Sequence, residues 1–133
     1  MASLYKQIRI EAPAAVIWDA VRDIGALHTR LVPGFVLNTQ LEPGARLVTF
    51  ANGMQLREPI ITLDDEQQRL VWSAQGGATT HYNAALQVIA DGAAGRVLWT
   101  SDFLPDSLAP TLSGMQDQGL AAMKRKLEQD VKV

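Results

Sequence analysis

The last quarter of the chain has the hydrophobic periodicity of one long amphipathic helix. From Asp106 to Val133, apolar side chains recur at about 100° per residue, with charged side chains opposite them. Asp106 or Ser107 would cap the first turn, and Pro110 fits there because an amide at that point has no helical acceptor. The predicted buried stripe consists of Leu108, Leu112, Met115, Gly119, Ala122, Met123 and Leu127.

Gly119 lies in the middle of this stripe. A glycine inside a helix costs about 1 kcal/mol relative to alanine, so another group is expected to approach its backbone closely. Either a side chain of a sheet packs against the glycine, or the space is kept open for a ligand. Both alternatives require a curved sheet beneath the helix.

The N-terminal part predicts one strand followed by two short helices. Leu4–Glu11 alternates between apolar and polar residues, as a half-buried strand does. Pro13 suits the first turn of a helix, and the apolar positions after it have helical spacing until Gly25. A second short helix is predicted for Ala26–Leu31, before a Pro-Gly turn.

Six short apolar segments separated by turn sequences follow. The turns contain Pro-Gly, Asn-Gly, Gly-Gly and Asp-Gly pairs. The predicted strands are Phe35–Leu41, Arg46–Ala51, Gln55–Leu63, Arg69–Ala74, Thr80–Ile89 and Arg96–Leu104. The order β-α-α-β-β-β-β-β-β-α predicts an α+β fold, in which a curved antiparallel sheet of about seven strands wraps around the C-terminal helix.

Length and composition narrow the class of protein. A chain of 133 residues is long enough for one domain, predicted to span residues 1–133. The net charge of −2 and the scattered Lys and Arg residues argue against a nucleic-acid partner. The absence of cysteine excludes disulfides and thiolate metal sites. No apolar run approaches the ~20 residues of a membrane span, and no signal peptide is recognisable, so we expect a cytoplasmic protein.

Hairpin register predicts which side chains share the inner face of the sheet. If Gly92 and Ala93 form the last turn, the apolar residues of the two flanking strands face each other. The predicted pairs are Val88–Val97, Leu86–Trp99, Ala84–Ser101, Tyr82–Phe103, Trp72–Ala84, Ala74–Tyr82, Ile60–Trp72 and Glu58–Ala74. Glu58 and Tyr82 then point into one space from two strands apart, at about 9–10 Å, with small Ala74 between them.

The hairpin between the strands Arg46–Ala51 and Gln55–Leu63 leaves two alternatives for which side chains face inward. A two-residue turn at Asn52 and Gly53 would put Leu47 and Thr49 beside Glu58. A three-residue loop would bring Val48 and Phe50 inward. We favour the arrangement with Phe50 inward.

Glu58 is the leading candidate for chemistry. A carboxylate in apolar surroundings has its pKa raised by desolvation, which makes it a general acid or base near neutral pH. Alternatively, Glu58 is a partly solvated side chain at the sheet edge, or one paired with Arg46 or Arg57. Tyr82 either donates to a ligand carbonyl or packs with its hydroxyl at the rim. Ser101 either orients a ligand or is a small spacer.

Other kinds of site find little support. The only histidines, His28 and His81, have no metal-ligand spacing, and no Ser/His/Asp arrangement is suggested. The glycine pairs are hairpin turns that do not open a helix, so they are not phosphate loops. We therefore expect no metal and no cofactor.

The chain resembles the START-like or SRPBCC superfamily, whose helix-grip fold is found in birch-pollen allergens, plant abscisic-acid receptors and bacterial polyketide cyclase/dehydrase-like proteins. The resemblance covers nearly the whole chain. It is carried by Pro13–Trp18, Val21–Asp23, Pro43–Arg46, Asn52-Gly53, Arg57-Glu58, Leu63–Asp65, Arg69–Trp72, Gly76-Gly77, Tyr82–Ala84 and Val97–Trp99.

The resemblance implies an apolar cavity between sheet and helix, with Glu58, Trp72, Tyr82 and Trp99 on positions that face it. Two departures argue against a hormone receptor. Trp99 replaces an acidic residue of the receptors on the last strand, and their His-Arg-Leu motif is missing before Tyr82.

Together, these expectations predict that the protein binds a hydrophobic ligand of aromatic, polyketide or lipid-like type. In an enzyme similar to the family's cyclases, Glu58 would abstract a proton beside a carbonyl and Tyr82 would stabilise the enolate. The predicted ligand contacts are Phe35, Phe50, Glu58, Ile60, Trp72, Ala74, Tyr82, Ala84, Trp99, Ser101, Phe103, Leu112, Met115 and Gly119.

The alternative is an interaction module like the co-chaperone members of the superfamily. Such a module would have a filled core, and its working surface would be the outer face at His81, Asn83 and Gln87. An enclosed cavity of several hundred Å³ would favour ligand binding over the module. A homodimer is compatible with either alternative.

Overall fold

The computed structural model describes residues 1–132, which form a seven-stranded antiparallel sheet and two α-helices. The strands are β1 (Ala2–Ile10), β2 (Val36–Glu42), β3 (Ala45–Phe50), β4 (Gln55–Asp64), β5 (Arg69–Ser73), β6 (His81–Asp91) and β7 (Ala94–Leu104). The helices are α1 (Ala14–Arg22) and α2 (Ala109–Val131). The predicted order of elements and the α+β class are confirmed.

The sheet has the order β1-β7-β6-β5-β4-β3-β2. Register shifts between Val36 and Asn38 in β2, and between Ile60 and Thr62 in β4, mark bulges. A bulge bends its strand and increases the local twist, which curves the sheet around α2. Along the opposite edge of the sheet, β1 packs against α2.

Two local details differ from the predictions. Residues Leu27–Leu31 form a single π-helical turn of 5 residues, not a regular helix. Neither Asp106 nor Ser107 caps α2 through its side chain, because Asp106–Leu108 forms a 3₁₀ turn and leaves Leu108 at the N-cap position. Pro110 lies in the first turn of α2 as predicted. The predicted last helical residue, Val133, lies outside the described residues.

The strand register is the predicted one. All four pairs of the last hairpin, from Val88–Val97 to Tyr82–Phe103, are observed, as are Trp72–Ala84 and Ile60–Trp72. The Ala74 N–H donates to the Tyr82 carbonyl at 3.1 Å. A bridge between Arg57 and Gln75 places Glu58 across from Ala74.

The hairpin between β3 and β4 takes the alternative that we favoured. The Phe50 N–H donates to the Met54 carbonyl at 2.8 Å and closes a three-residue loop. Val48 and Phe50 are consequently buried. The same register pairs Arg46 with Glu58 on adjacent strands.

The inner side of α2 is wider than the predicted stripe. Gly119, Ala122, Met123 and Leu127 are buried, and Gln116 and Leu120 are buried with them. Leu108, Leu112 and Met115, nearer the start of the helix, are only half-buried. The helix therefore seals against the sheet at its C-terminal half and stands off it at its N-terminal half.

Candidate functional site

The sheet and α2 do not close completely, and a cavity of about 170 Å³ lies between them. It is smaller than the several hundred Å³ that would favour ligand binding over the interaction module. Aromatic rings occupy much of the interior: Phe35 and Phe50 meet edge to face with ring centroids 5.6 Å apart, whereas the Trp72 and Trp99 rings are tilted by 52° with centroids 6.0 Å apart. The interior is nevertheless not filled, whereas the interaction-module alternative requires a filled interior.

Most of the predicted ligand contacts line this cavity. They are Phe35, Phe50, Glu58, Trp72, Ala74, Tyr82, Trp99, Leu112, Met115 and Gly119. Five of these ten residues lie in strands β3 to β7, two lie directly beside a strand (Phe35 before β2 and Ala74 after β5), and three belong to α2. The curved sheet and the helix together thus form the two walls of the cavity.

Four predicted contacts do not line the cavity. Phe103 has no exposed surface, and Ala84 is 4% exposed beneath larger neighbours. Ser101 faces the helix as predicted, but Gln116 covers it through a hydrogen bond of 2.9 Å. Ile60 is half-buried beside the bulge of β4 and packs against the core. All four are corrections to the predicted contact set, because facing the helix does not determine how deeply a side chain is covered.

The structure adds lining residues that the sequence analysis missed. Arg46 was considered only as a partner for Glu58, and Gln116 was not considered at all. Gln116 follows Leu112 by four residues and precedes Gly119 by three, a helical spacing that could have revealed it. Its polar side chain concealed that it belongs to the buried face. The π-helical turn also contributes Leu27 and Leu31 to the wall.

Arg46 and Glu58 form a buried ion pair at the wall of the cavity. The Arg46 Nε–H donates to Glu58 Oε1 at 2.9 Å, and the two side chains are 3% and 8% exposed. Arg46 also donates to the Ile24 carbonyl at 3.4 Å, and its guanidinium carbon lies 5.5 Å from the Trp72 ring centroid. Within residues 1–132, Glu58 Oε2 accepts no hydrogen bond. One carboxylate oxygen therefore remains available to a ligand.

The electrostatic environment of Glu58 combines two opposing effects. Burial raises the pKa of Glu58, and the positive charge and hydrogen bond of Arg46 oppose that rise. Burial dominates, so the pKa of the carboxyl lies above its ordinary value of 4.5. Both alternatives from the sequence are thus combined: Glu58 lines the cavity, and it is paired with Arg46.

A second polar group lies where β6 and β7 face α2. Gln116 Nε2 donates to Tyr82 Oη at 3.2 Å and to Ser101 Oγ at 2.9 Å. Burial raises the pKa of Tyr82 to about 12, so its hydroxyl is neutral at physiological pH. Trp99 lies close enough to Tyr82 to lower this pKa. Among the described residues, the Trp99 indole N–H and Gln116 Oε1 make no hydrogen bond of normal geometry.

The cavity opens between one loop and the start of α2. Gly76, Gly77 and Ala78, in the loop between β5 and β6, are exposed, and Thr111 on α2 is exposed opposite them. The ion pair of Arg46 and Glu58 is buried, in contrast to these residues. A ligand that entered at this opening would therefore pass the exposed residues before it reached the ion pair.

Gly119 lies both against large side chains and beside the open space, the two alternatives predicted for it. A Cβ atom at this position would lie 3.1 Å from the Trp99 ring and 3.3 Å from the Phe35 ring. The glycine also lines the cavity. Sheet side chains thus approach the helix closely at Gly119 while the space beside it stays open.

Two kinds of feature are absent from the part of the chain that the structure describes, a cluster of metal-ligating side chains and a membrane-spanning helix. Residues 1–132 contain no group of three His, Asp or Glu side chains arranged to hold a metal ion. None of the helices there combines the length and apolar character that crossing a bilayer requires. His28 Nδ1 lies 3.2 Å from Thr39 Oγ1.

A family profile described as polyketide cyclase/dehydrase and lipid transport matches residues 1–128. No curated protein matches the sequence. Among solved structures, a START superfamily protein from Mycobacterium smegmatis superposes with a TM-score of 0.78 at 14% identity, over 96% of this chain and 97% of that one.

Two further solved structures have names that refer to biosynthesis. The di-domain ARO/CYC protein BexL of the BE-7585A biosynthetic pathway has a TM-score of 0.83 at 18% identity, over 96% of this chain and 47% of that one. Norcoclaurine synthase from Thalictrum flavum has a TM-score of 0.73 at 20% identity, over 98% of this chain and 86% of that one. These likenesses confirm the helix-grip fold.

Proposed function

Since this chain belongs to the polyketide cyclase/dehydrase and lipid transport family, whose fold binds hydrophobic ligands, we propose that it binds a neutral, single-ring molecule between the sheet and α2. The observation that carries the proposal is the cavity of about 170 Å³ with predominantly apolar walls. An apolar cavity of about 150 Å³ is large enough to bind benzene. A multi-ring polyketide would require the walls to move apart.

The charge of the ligand follows from the ion pair. Arg46 and Glu58 compensate each other, so the buried end of the cavity carries no net charge. A charged ligand would lose its hydration there without gaining an uncommitted counter-ion. A neutral molecule avoids that cost and gains free energy from burial of its ring.

Three probes of similar size and different charge test this proposal. Acetophenone is expected to bind, whereas benzoate and benzylammonium are expected to bind at least tenfold more weakly. Ligand-observed NMR measures binding, and the fluorescence of Trp72 and Trp99 locates it at the cavity. Trp18 is a background signal, because its indole N–H is hydrogen-bonded to Asp65 at 2.9 Å, outside the cavity wall. Binding of none of the three would favour the interaction module.

We further propose that the cavity supports proton transfer next to a carbonyl. Glu58 lines the cavity with a raised pKa and a free Oε2, and Tyr82 supplies a neutral hydroxyl on the same wall. The C–H bond beside the ligand carbonyl would break and its proton would pass to Glu58 Oε2. The electron pair would become the enolate, whose oxygen accepts a hydrogen bond from Tyr82. Return of the proton regenerates the ketone.

Deuterium exchange tests this chemistry without knowledge of the natural substrate. In D₂O, the protein is expected to accelerate exchange of the acetophenone methyl protons above the buffer rate, as followed by ¹H NMR. Glu58→Gln should reduce exchange to the buffer rate, and Tyr82→Phe should slow it by about 10²-fold or more. Acetophenone that binds without exchange would identify a carrier instead of a catalyst.

A further inference from the structure

We propose that Gln116 is a positioning residue that makes the Tyr82 hydroxyl a hydrogen-bond donor toward the bound ligand. The ligand would then present a carbonyl or another hydrogen-bond acceptor at Tyr82. This inference rests on the proposed binding function and specifies which chemical group the ligand carries.

The hydrogen bonds of Gln116 have a defined direction. Gln116 is 2% exposed, and its amide nitrogen donates to both Tyr82 Oη and Ser101 Oγ. A primary amide has two N–H donors, so this arrangement uses both of them. The Tyr82 oxygen is therefore already an acceptor, and its own proton remains to be donated elsewhere.

The opposite orientation of the Gln116 amide would be less favourable. As it stands, the amide leaves one group without a partner among the described residues, the acceptor Oε1. Rotation of the amide by 180° would leave two N–H donors unsatisfied in the same buried place. Unpaired buried donors are rarer in proteins than under-satisfied carbonyl oxygens. The observed orientation thus keeps the Tyr82 proton free.

The Tyr82 proton needs an acceptor. Tyr82 lines the cavity, and within 1–132 its hydroxyl donates no hydrogen bond of normal geometry, although Ser101 lies near enough to lower its pKa. The raised pKa keeps the proton on the oxygen at neutral pH. An acceptor atom on a molecule in the cavity therefore completes the hydrogen bonding of this hydroxyl.

Two isosteric probes measure the effect. α-Methylstyrene has the shape of acetophenone with a CH₂ group in place of the carbonyl oxygen. The wild-type protein is expected to prefer acetophenone by about fivefold, as one buried hydrogen bond would provide. Tyr82→Phe should abolish the preference. Gln116→Met should reduce it to less than twofold, because no amide N–H then holds the Tyr82 oxygen as an acceptor and its hydroxyl can turn away from the cavity.

Ser101→Ala is the matched control. It removes the other partner of the Gln116 amide, it does not alter a cavity-lining side chain, and it should preserve the preference. Infrared spectroscopy of ¹³C-carbonyl acetophenone adds a direct signature: the C=O stretch should move to lower frequency in the wild type and in Ser101→Ala, but not in Gln116→Met. A merely structural role for Gln116 would weaken both probes equally.

Specific outcomes would overturn the inference. One is a preference that persists in Gln116→Met but disappears in Tyr82→Phe, since Tyr82 would then donate without help. Another is equal binding of the two probes by the wild type, which would leave the proposed binding function intact. Failure of both probes to bind would instead contradict the proposed function itself.

Discussion

Replacement of Arg46 by methionine is expected to lower the free energy of unfolding by about 3–5 kcal/mol at pH 8. The substitution retains much of the side-chain volume but leaves the Glu58 carboxylate buried without its counter-ion. It also removes the cationic group above the Trp72 ring. Removal of one partner of a buried pair costs more than the pair contributes, because the remaining charge stays desolvated.

The loss of unfolding free energy in Arg46→Met should depend on pH in a defined direction. Without Arg46, neither its charge nor its hydrogen bond opposes the raised pKa of Glu58, so that pKa rises further. A group with a raised folded-state pKa stabilises the protein fully below its ordinary value, here 4.5, and this contribution is lost as pH rises through the folded-state pKa. The difference from wild type should therefore shrink as pH falls from 8 toward 4.5.

Urea unfolding at several pH values, followed by circular dichroism, measures this difference. Glu58→Gln provides a contrast, because Arg46 stays charged and the loss should persist at low pH. The double variant Arg46→Met/Glu58→Leu should recover most of the stability, since an apolar pair of similar volume often matches a buried ion pair. A loss in Arg46→Met that does not change with pH would contradict the account.

Replacement of Ala74 by leucine is expected to weaken acetophenone binding at least tenfold, about 1.4 kcal/mol. Ala74 lies between Glu58 and Tyr82 along the sheet and lines the cavity. Three additional carbon atoms there would occupy the space proposed for the ligand ring. The protein should remain folded, because the new side chain enters existing space and does not displace core atoms.

Isothermal titration with acetophenone measures the affinity, and thermal unfolding without ligand measures the stability. Ala121→Leu introduces the same change on an exposed position of α2 and should leave binding unaltered. Conversely, Met115→Ala enlarges the cavity and should admit the two-ring ketone 2-acetonaphthone. Unchanged acetophenone binding in Ala74→Leu would place the ligand elsewhere.

Much of the fold could be predicted from the sequence because the relevant interactions are local. Strand side chains alternate with a period of two, so the pattern around Tyr82 and Ala84 indicates their face. A two-residue turn at Gly92 and Ala93 then determines every pair of the last hairpin. The same reasoning across the next turns brought Glu58, Ala74 and Tyr82 into one row.

The candidate site was only partly predictable. Ser101 and Phe103 face the helix as expected, yet neither reaches the cavity, because Gln116 covers the first and surrounding side chains enclose the second. Gln116 itself was missed, since a polar residue does not contribute to a hydrophobic pattern. The sequence allowed a partner for Glu58 but did not decide between Arg46 and Arg57.

By itself, the sequence determined the order of the elements and the register of the hairpins from β4 to β7, whereas it left two alternatives for the hairpin between β3 and β4. Only the tertiary structure decided the depth of each side chain, the Arg46–Glu58 pair and the size of the cavity. The physical reason is the range of the interactions. Turn geometry and side-chain alternation act between neighbours in sequence, whereas packing depends on contacts such as that between Gly119 and Trp99, which belong to separate elements brought together by the fold.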